Sequence, residues 1–133
     1  MESLTVRSRQ HAEFIDITDE IRSFVNSRGI KNGLLFVYVP HTTAGITINE
    51  NADRSVVHDI LADLERLFPQ RQSYYRHMEG NSASHMKASM MGSGVTVMIE
   101  EGVLVLGTWQ GIFFCEFDGP RTRKVHLKCM PDN

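Results

Sequence analysis

Residues 94–106 read G-V-T-V-M-I-E-E-G-V-L-V-L. Two runs rich in β-branched residues, Val95–Ile99 and Val103–Leu106, flank the polar turn Glu100-Glu101-Gly102, which predicts an antiparallel hairpin. The same grammar recurs downstream. Gly111–Phe117 and Arg123–Cys129 flank Asp118-Gly119-Pro120, a second hairpin signal. In the last run Val125, Leu127 and Cys129 alternate with Lys124, His126 and Lys128, so one face is apolar and the other wet. From Gly92 onward the chain is therefore nearly all β.

Upstream, Leu4–Arg9 and Glu13–Ile17 read as strands. A helix follows, with Thr18 as its N-cap, Asp19 and Glu20 at its positive end, an Ile21, Phe24 and Val25 stripe, and Gly29 closing it. Leu34–Val39 is continuously apolar and reads as a strand buried on both faces; Ile46–Asn49 alternates, as a half-buried strand does. Val56, Val57, Ile60, Leu61, Leu64, Leu67 and Phe68 recur at helical spacing after Asp53, and Pro69 stops that helix. Residues 70–81 are loop-like. Ser82 can cap a third helix running through Met91 to Gly92, with Met86 and Met90 as its core-facing residues. Strands, then inserted helices, then strands give an α+β class, mainly an antiparallel sheet or sandwich with about three helices. Much apolar surface remains for them to cover, and packing against other subunits would help.

The chain has 133 residues, the size of one domain spanning 1–133. Its 41% apolar and 23% charged residues are ordinary globular values. A net charge of −2 argues against a general nucleic-acid partner. The basic group Arg121, Arg123, Lys124 and Lys128 reads as a solvated edge strand. No apolar run is long enough for a membrane helix, and the first residues show no signal-peptide core, so a cytoplasmic location is expected. Cys115 and Cys129 lack metal or redox spacing and read as reduced buried thiols.

Chemistry concentrates in H-T-T-A-G-I-T-I-N-E-N-A-D, His41–Asp53. Among six histidines, His11, His58 and His126 read as turn or surface residues. His41, His77 and His85 instead sit at element ends beside small polar residues, where sites tend to form. Asn81, His85 and Ser89 are spaced by four and share a helix face. Two readings stay open: a metal site, since three imidazoles suit a zinc-like ion, or a purely hydrogen-bonded polar pocket. Glu50 could serve as a general base or orient a histidine; Asp53 is either catalytic or a plain N-cap. Thr42, Thr43 and Ser89 offer hydroxyls, and the starts of the helices near 53 and 82 offer N–H donors to an anion such as phosphate. Trp109 reads as an aromatic packed beneath a strand bulge, while Gln110 either belongs to the bulge or points at a ligand.

Three blocks, His41–Asp53, then Y-R-H-M-E-G-N-S-A-S-H-M-K-A-S-M-M-G (Tyr75–Gly92), then G-T-W-Q-G-I-F-F-C-E-F-D-G-P-R (Gly107–Arg121), together resemble the YjbQ-like family. The resemblance covers nearly the whole chain. It implies a compact α+β subunit assembling as a homotrimer, with clustered histidines near subunit boundaries. It also implies thiamin-phosphate synthase activity, at least as a side reaction, on small phosphorylated substrates. The matching site residues are His41, Asn49, Glu50, Asp53, His77, Asn81, His85 and Ser89. With the pocket residues above, they give a divalent metal, zinc-like or magnesium, on His41, His77 and His85; Glu50 and Asp53 in proton transfer; and Thr42, Thr43, Asn49, Asn81, Ser89 and Gln110 against substrate. A metal-dependent hydrolase and a non-catalytic trimeric binding module are the alternatives.

Overall fold

The computed structural model describes every residue, Met1–Asn133. Two antiparallel sheets and three helices make it an α+β fold. One sheet runs β1 (Glu2–Arg7), β8 (Thr122–Pro131), β3 (Gly33–Tyr38), β5 (Gly94–Glu100), β6 (Val103–Leu104). The other runs β2 (Glu13–Asp16), β7 (Gln110–Glu116), β4 (Ala44–Glu50). Helices are α1 (Thr18–Arg28), α2 (Arg54–Leu67) and α3 (Ser82–Met91).

The strand period of two explains the layering. In β7, Ile112 and Phe114 point into a core shared with Leu35, Val37, Val97, Ile99, Val125 and Leu127 of the larger sheet. Phe113 and Cys115, with Phe117 beyond them, point the other way, into a second core with Leu64 of α2 and Ala88 of α3. The layers are thus larger sheet, smaller sheet, then α2 and α3. Helix α1 buries Ile21 and Val25 in the first core.

The hairpin at Glu100–Gly102 forms as the sequence predicts. Glu101 and Gly102 both have positive φ, 52° and 80°, as a two-residue hairpin loop requires, and Ile99 pairs with Leu104. The second predicted hairpin does not form. β7 pairs with β2 and β4, whereas β8 pairs with β1 and β3. The two strands have different burial needs. β7 is apolar on both faces and needs cover on both; β8 keeps a wet face. Residues 118–121 therefore cross between sheets beside a matching crossing from β1 to β2. Ser8 N–H donates to Arg121 O (2.9 Å) and Gly119 N–H to His11 O (3.0 Å).

Other expectations shift. β3 is not buried on both faces: Leu35 and Val37 are inside, but Phe36 and Tyr38 face out, because its sheet has core on one side only. Thr18 does not cap α1; Ile17 occupies that position, while the Thr18 hydroxyl donates to Asp16 and accepts the Ile112 N–H (2.9 Å). Gly29 closes α1 in the left-handed region, as expected. Asn81, one residue before Ser82, precedes α3. Met86 and Met90 are exposed rather than core; α3 buries Ala83, Ser84, Lys87 and Ala88. Trp109 is 61% exposed, not packed beneath a bulge. β8 is internal, and Arg123 on it is buried, so the solvated-edge reading fails there. Cys115 and Cys129 are free thiols as expected, the first fully buried and the second partly.

Candidate functional site

Where the β7–β8 crossing meets the β3–β4 connection and the start of α3, the surface dips into a cavity of about 400 Å³. It is lined by Pro40, His41, Thr42, Thr43, His77, Glu79, Asn81, His85, Asp118, Arg121 and Arg123. No large apolar side chain contributes.

Its floor is an ion pair. Arg123 Nε donates to Glu116 Oε1 (2.9 Å), and its Nη2 donates to Glu116 Oε2 (2.5 Å) and to Thr43 Oγ1 (2.9 Å). Glu116 has no exposed surface and also accepts from the Ser8 hydroxyl (2.7 Å) and the Asp118 N–H (3.0 Å). Burial alone would push this carboxyl up; the Arg123 and Ser8 hydrogen bonds and the Asp118 N–H outweigh it and hold Glu116 below the ordinary glutamate range. Arg121 is matched in turn by Asp118, Nη2 to Oδ2 at 2.9 Å. Asp118 also accepts from Asn81 Nδ2 (2.9 Å). Both guanidiniums are thus already neutralised. A bound anion must be recognised by the remaining donors.

Those donors are mainly imidazoles. His77 comes from the loop before α3 and His85 from the second turn of α3; their rings meet edge to face with centroids 5.3 Å apart. His77 Nε2 lies 4.0 Å from Glu79 Oε1. His41, in the middle of the β3–β4 connection, lines the same cavity. Its Nε2 accepts the backbone N–H of Lys124 at 2.9 Å. A ring nitrogen that accepts an N–H carries no proton, so the neutral ring holds its proton on Nδ1. Burial, and next the Arg123 guanidinium, lower the His41 pKa below the usual histidine value, in keeping with a neutral ring. The first turn of α3 has no side-chain cap, and the buried Asn81 Oδ1 has no hydrogen-bond partner.

The residue pattern over Met1–Asn133 now has close counterparts. The chain matches the UPF0047 protein YjbQ-like family across residues 2–132. It is 50% identical over 130 residues to UPF0047 protein YugU of Bacillus subtilis, covering 98% of each chain. It is 49% identical over 127 residues to a UPF0047 protein of Methanocaldococcus jannaschii, covering 96% of this chain and 91% of that one. Among solved structures, it superposes on a YjbQ/UPF0047 family protein of Clostridium acetobutylicum with a TM-score of 0.94 at 50% identity, covering 98% of this chain and 100% of that one. A conserved hypothetical protein of Thermus thermophilus gives 0.91 at 37% identity, again with 98% and 100% covered. The chain belongs to the UPF0047, YjbQ-like family.

Within this family fold, the expected histidine metal centre is not formed. His41, His77 and His85 do border one cavity, but no three His, Cys, Asp or Glu side chains are arranged to hold an ion. His41 has its Nε2 committed to the backbone. The thiamin-phosphate synthase expectation fails with it. The relatives are named only as UPF0047 proteins, and the metal-dependent transferase and hydrolase readings lose the site they required.

The remaining predicted site residues divide. Thr42, Thr43 and Asn81 are in the cavity. Ser89 borders an adjoining depression with His41 and His85, its hydroxyl donating to His85 O (2.9 Å). Glu50 and Asp53 line a separate hollow of about 380 Å³ beside Phe14, Asp16 and Phe113. Asp53 there is the N-cap of α2; the Ser55 hydroxyl (2.7 Å) and then the Ser55 N–H (2.9 Å) donate to it and lower its pKa. Asn49 turns its Oδ1 onto the Glu50 N–H (2.7 Å), and Gln110 turns its Oε1 onto the Gly107 N–H (2.7 Å). Glu79, Asp118, Arg121 and Arg123 are cavity residues that the sequence reading passed over. Asp118 and Arg121 stood in the third quoted block, D-G-P-R, read there as a turn. Arg123 did carry a signal: standing two residues before Val125, it shares the apolar face of the last strand.

Proposed function

We propose that this protein is an enzyme of small, hydrophilic molecules bearing an oxyanion group, carboxylate or phosphate, with His77 and His85 as its proton-transfer pair. The observation that carries the reading is the all-polar cavity on which imidazoles from three segments converge. A site without apolar walls gains little from hydrophobic burial, so it selects ligands by hydrogen bonds and charge. The neutral His41 offers a fixed Nδ1–H donor, and the uncapped start of α3 offers N–H groups. An imidazole beside a bound group can pass a proton to or from it.

The test combines NMR of the imidazole rings with turnover of hydrophilic anionic substrates. Phosphate or acetate should shift the His77 and His85 ring signals saturably and leave the exposed His58 ring unmoved. His77→Ala or His85→Ala should lower turnover by about 10²–10⁴-fold, the usual worth of a general acid or base, with an unchanged fold. Ring signals indifferent to both anions would overturn the assignment.

The same proposal includes assembly as a homotrimer in the cytoplasm. Phe36, Tyr38, Met98 and Met130 present apolar surface on the outer side of the larger sheet, which supports association. The two free thiols support a reducing compartment. No helix is long and apolar enough to cross a membrane.

A further inference from the structure

A second cavity, of about 600 Å³, lies inside the loop before α3. It is bounded by Gln70, Arg71, Gln72, Tyr75, His77, Glu79 and Gly80. His77 and Glu79 belong to both cavities, so they stand at the junction of the two. The loop is tied at its neck: Gln70 Nε2 donates to Gly80 O (3.1 Å), and Gly80 N–H donates to His77 O (3.1 Å). Gly80 holds φ at 72°, where a side chain would be strained. Tyr75 N–H closes a tighter turn onto Gln72 O (3.2 Å). A compact loop bonded across its neck, with a concavity inside, is a recurrent way to build a binding surface.

The two lobes differ in their charges. In the first, both arginines are neutralised by Asp118 and Glu116. In the loop lobe, Arg71 makes no ion pair with any carboxylate, and Glu79 leans toward His77 at 4.0 Å. Arg71 is therefore a cation without an ion-pair partner, lining a hollow that shares His77 and Glu79 with the imidazole cavity. In the same hollow the half-buried Tyr75 supplies an aromatic wall, and Gln70 and Gln72 supply amides.

We propose that the loop lobe is a second subsite, and that the ligand is elongated with an oxyanion at each end. One end lies with His77 and His85; the chain between passes His77 and Glu79 along Tyr75; the other end pairs with Arg71. The inference rests on the imidazole site proposed above and extends it from one anionic group to two. Arg71 acts by charge and bidentate hydrogen bonding to an oxyanion, which a lysine would reproduce only in part.

Calorimetric titration of the full chain tests it with four probes. Acetate and orthophosphate carry one anionic centre; suberate and fructose 1,6-bisphosphate carry two, and each pair separates carboxylate from phosphate as the preferred end group. The two-headed probe of the preferred chemistry should bind at least tenfold tighter than its one-headed counterpart. Arg71→Ala should erase that margin while leaving the one-headed Kd unchanged, and Arg71→Lys should restore part of it. His85→Ala should weaken both probes. A margin that survives Arg71→Ala, or no margin at all while His85 still governs one-headed binding, would overturn the second subsite alone. Indifference of all four probes to His85→Ala would overturn the imidazole site and the subsite together.

Discussion

At the scale of single residues, His41 shows how a backbone contact fixes side-chain chemistry. Its Nε2 accepts the Lys124 N–H, so protonating the ring would break that bond beside the Arg123 guanidinium. Burial, and next that guanidinium, lower the folded-state pKa, and the unfolded chain binds a proton first as the pH drops. The stabilisation is complete above about pH 6.5, the ordinary histidine value, and is lost as the pH falls toward the lowered folded value. His41→Gln keeps an acceptor but does not titrate. Its melting temperature should fall less between pH 7 and pH 5 than that of the natural protein, as thermal scans across that range would show. Equal slopes for both proteins would mean that the ring does not carry this linkage. The three converging histidines were legible in the sequence, because glycine, asparagine and threonine beside them marked element ends. Arg123 was legible by parity, two residues before Val125 on the apolar face, but its buried counter-charge Glu116 was not.

At the scale of elements, α3 lies on β4 through Gly45. A Cβ at position 45 would stand 2.7 Å from Gly92 O and 3.0 Å from Met91 Cβ. Backbone lies on one side and a packed side chain on the other, so neither yields cheaply. Gly45→Ala should cost about 1–3 kcal/mol, the usual range for overpacking. It should also push the C-terminal end of α3 away from β4 and tilt the helix that carries His85. Urea unfolding would report a lower midpoint at constant slope, and the His77–His85 ring contact should weaken by NMR. An unchanged midpoint would show that α3 tolerates the added carbon. This close approach explains why Met86 and Met90 turn outward. Against the strand backbone α3 buries the small Ala83, Ser84 and Ala88, and Lys87 through its ion pair with Glu65, while Met86 and Met90 stay exposed. Bulk alone marked the methionines as core, because the glycine that reverses that reading lies some forty residues away.

At the scale of the whole molecule, the Glu116–Arg123 pair joins the two sheets, since Glu116 ends β7 and Arg123 sits on β8. Glu116→Gln would leave a buried guanidinium without its counter-charge and should cost about 3–5 kcal/mol. Replacing both partners with methionine should cost less than that single change, because no unpaired charge remains. Chemical denaturation of the three proteins orders them; a double variant no better than the single would count against the pair as the source of the loss. Because the Glu116 pKa is lowered, its contribution is whole above the ordinary glutamate value and fades as the pH falls through the folded value. Glu116→Gln should accordingly flatten the acid limb of the stability curve. The proposed trimer belongs to this scale too. Light scattering should give about three times the chain mass of 15.1 kDa, and Tyr38→Lys should lower it; a monomer at all concentrations would refute the assembly.

Local pattern was sufficient for the strands and helices, for the hairpin at Glu101–Gly102, and for the glycine stop of α1. These depend on neighbours within a few residues, whose preferences act before any long-range contact forms. Which strands share a sheet, which face of α3 is buried, and how His41 is protonated depend on groups tens of residues apart. Their energies arise only when burial, close backbone approach and charge pairing bring those groups together, so no window of sequence contains them.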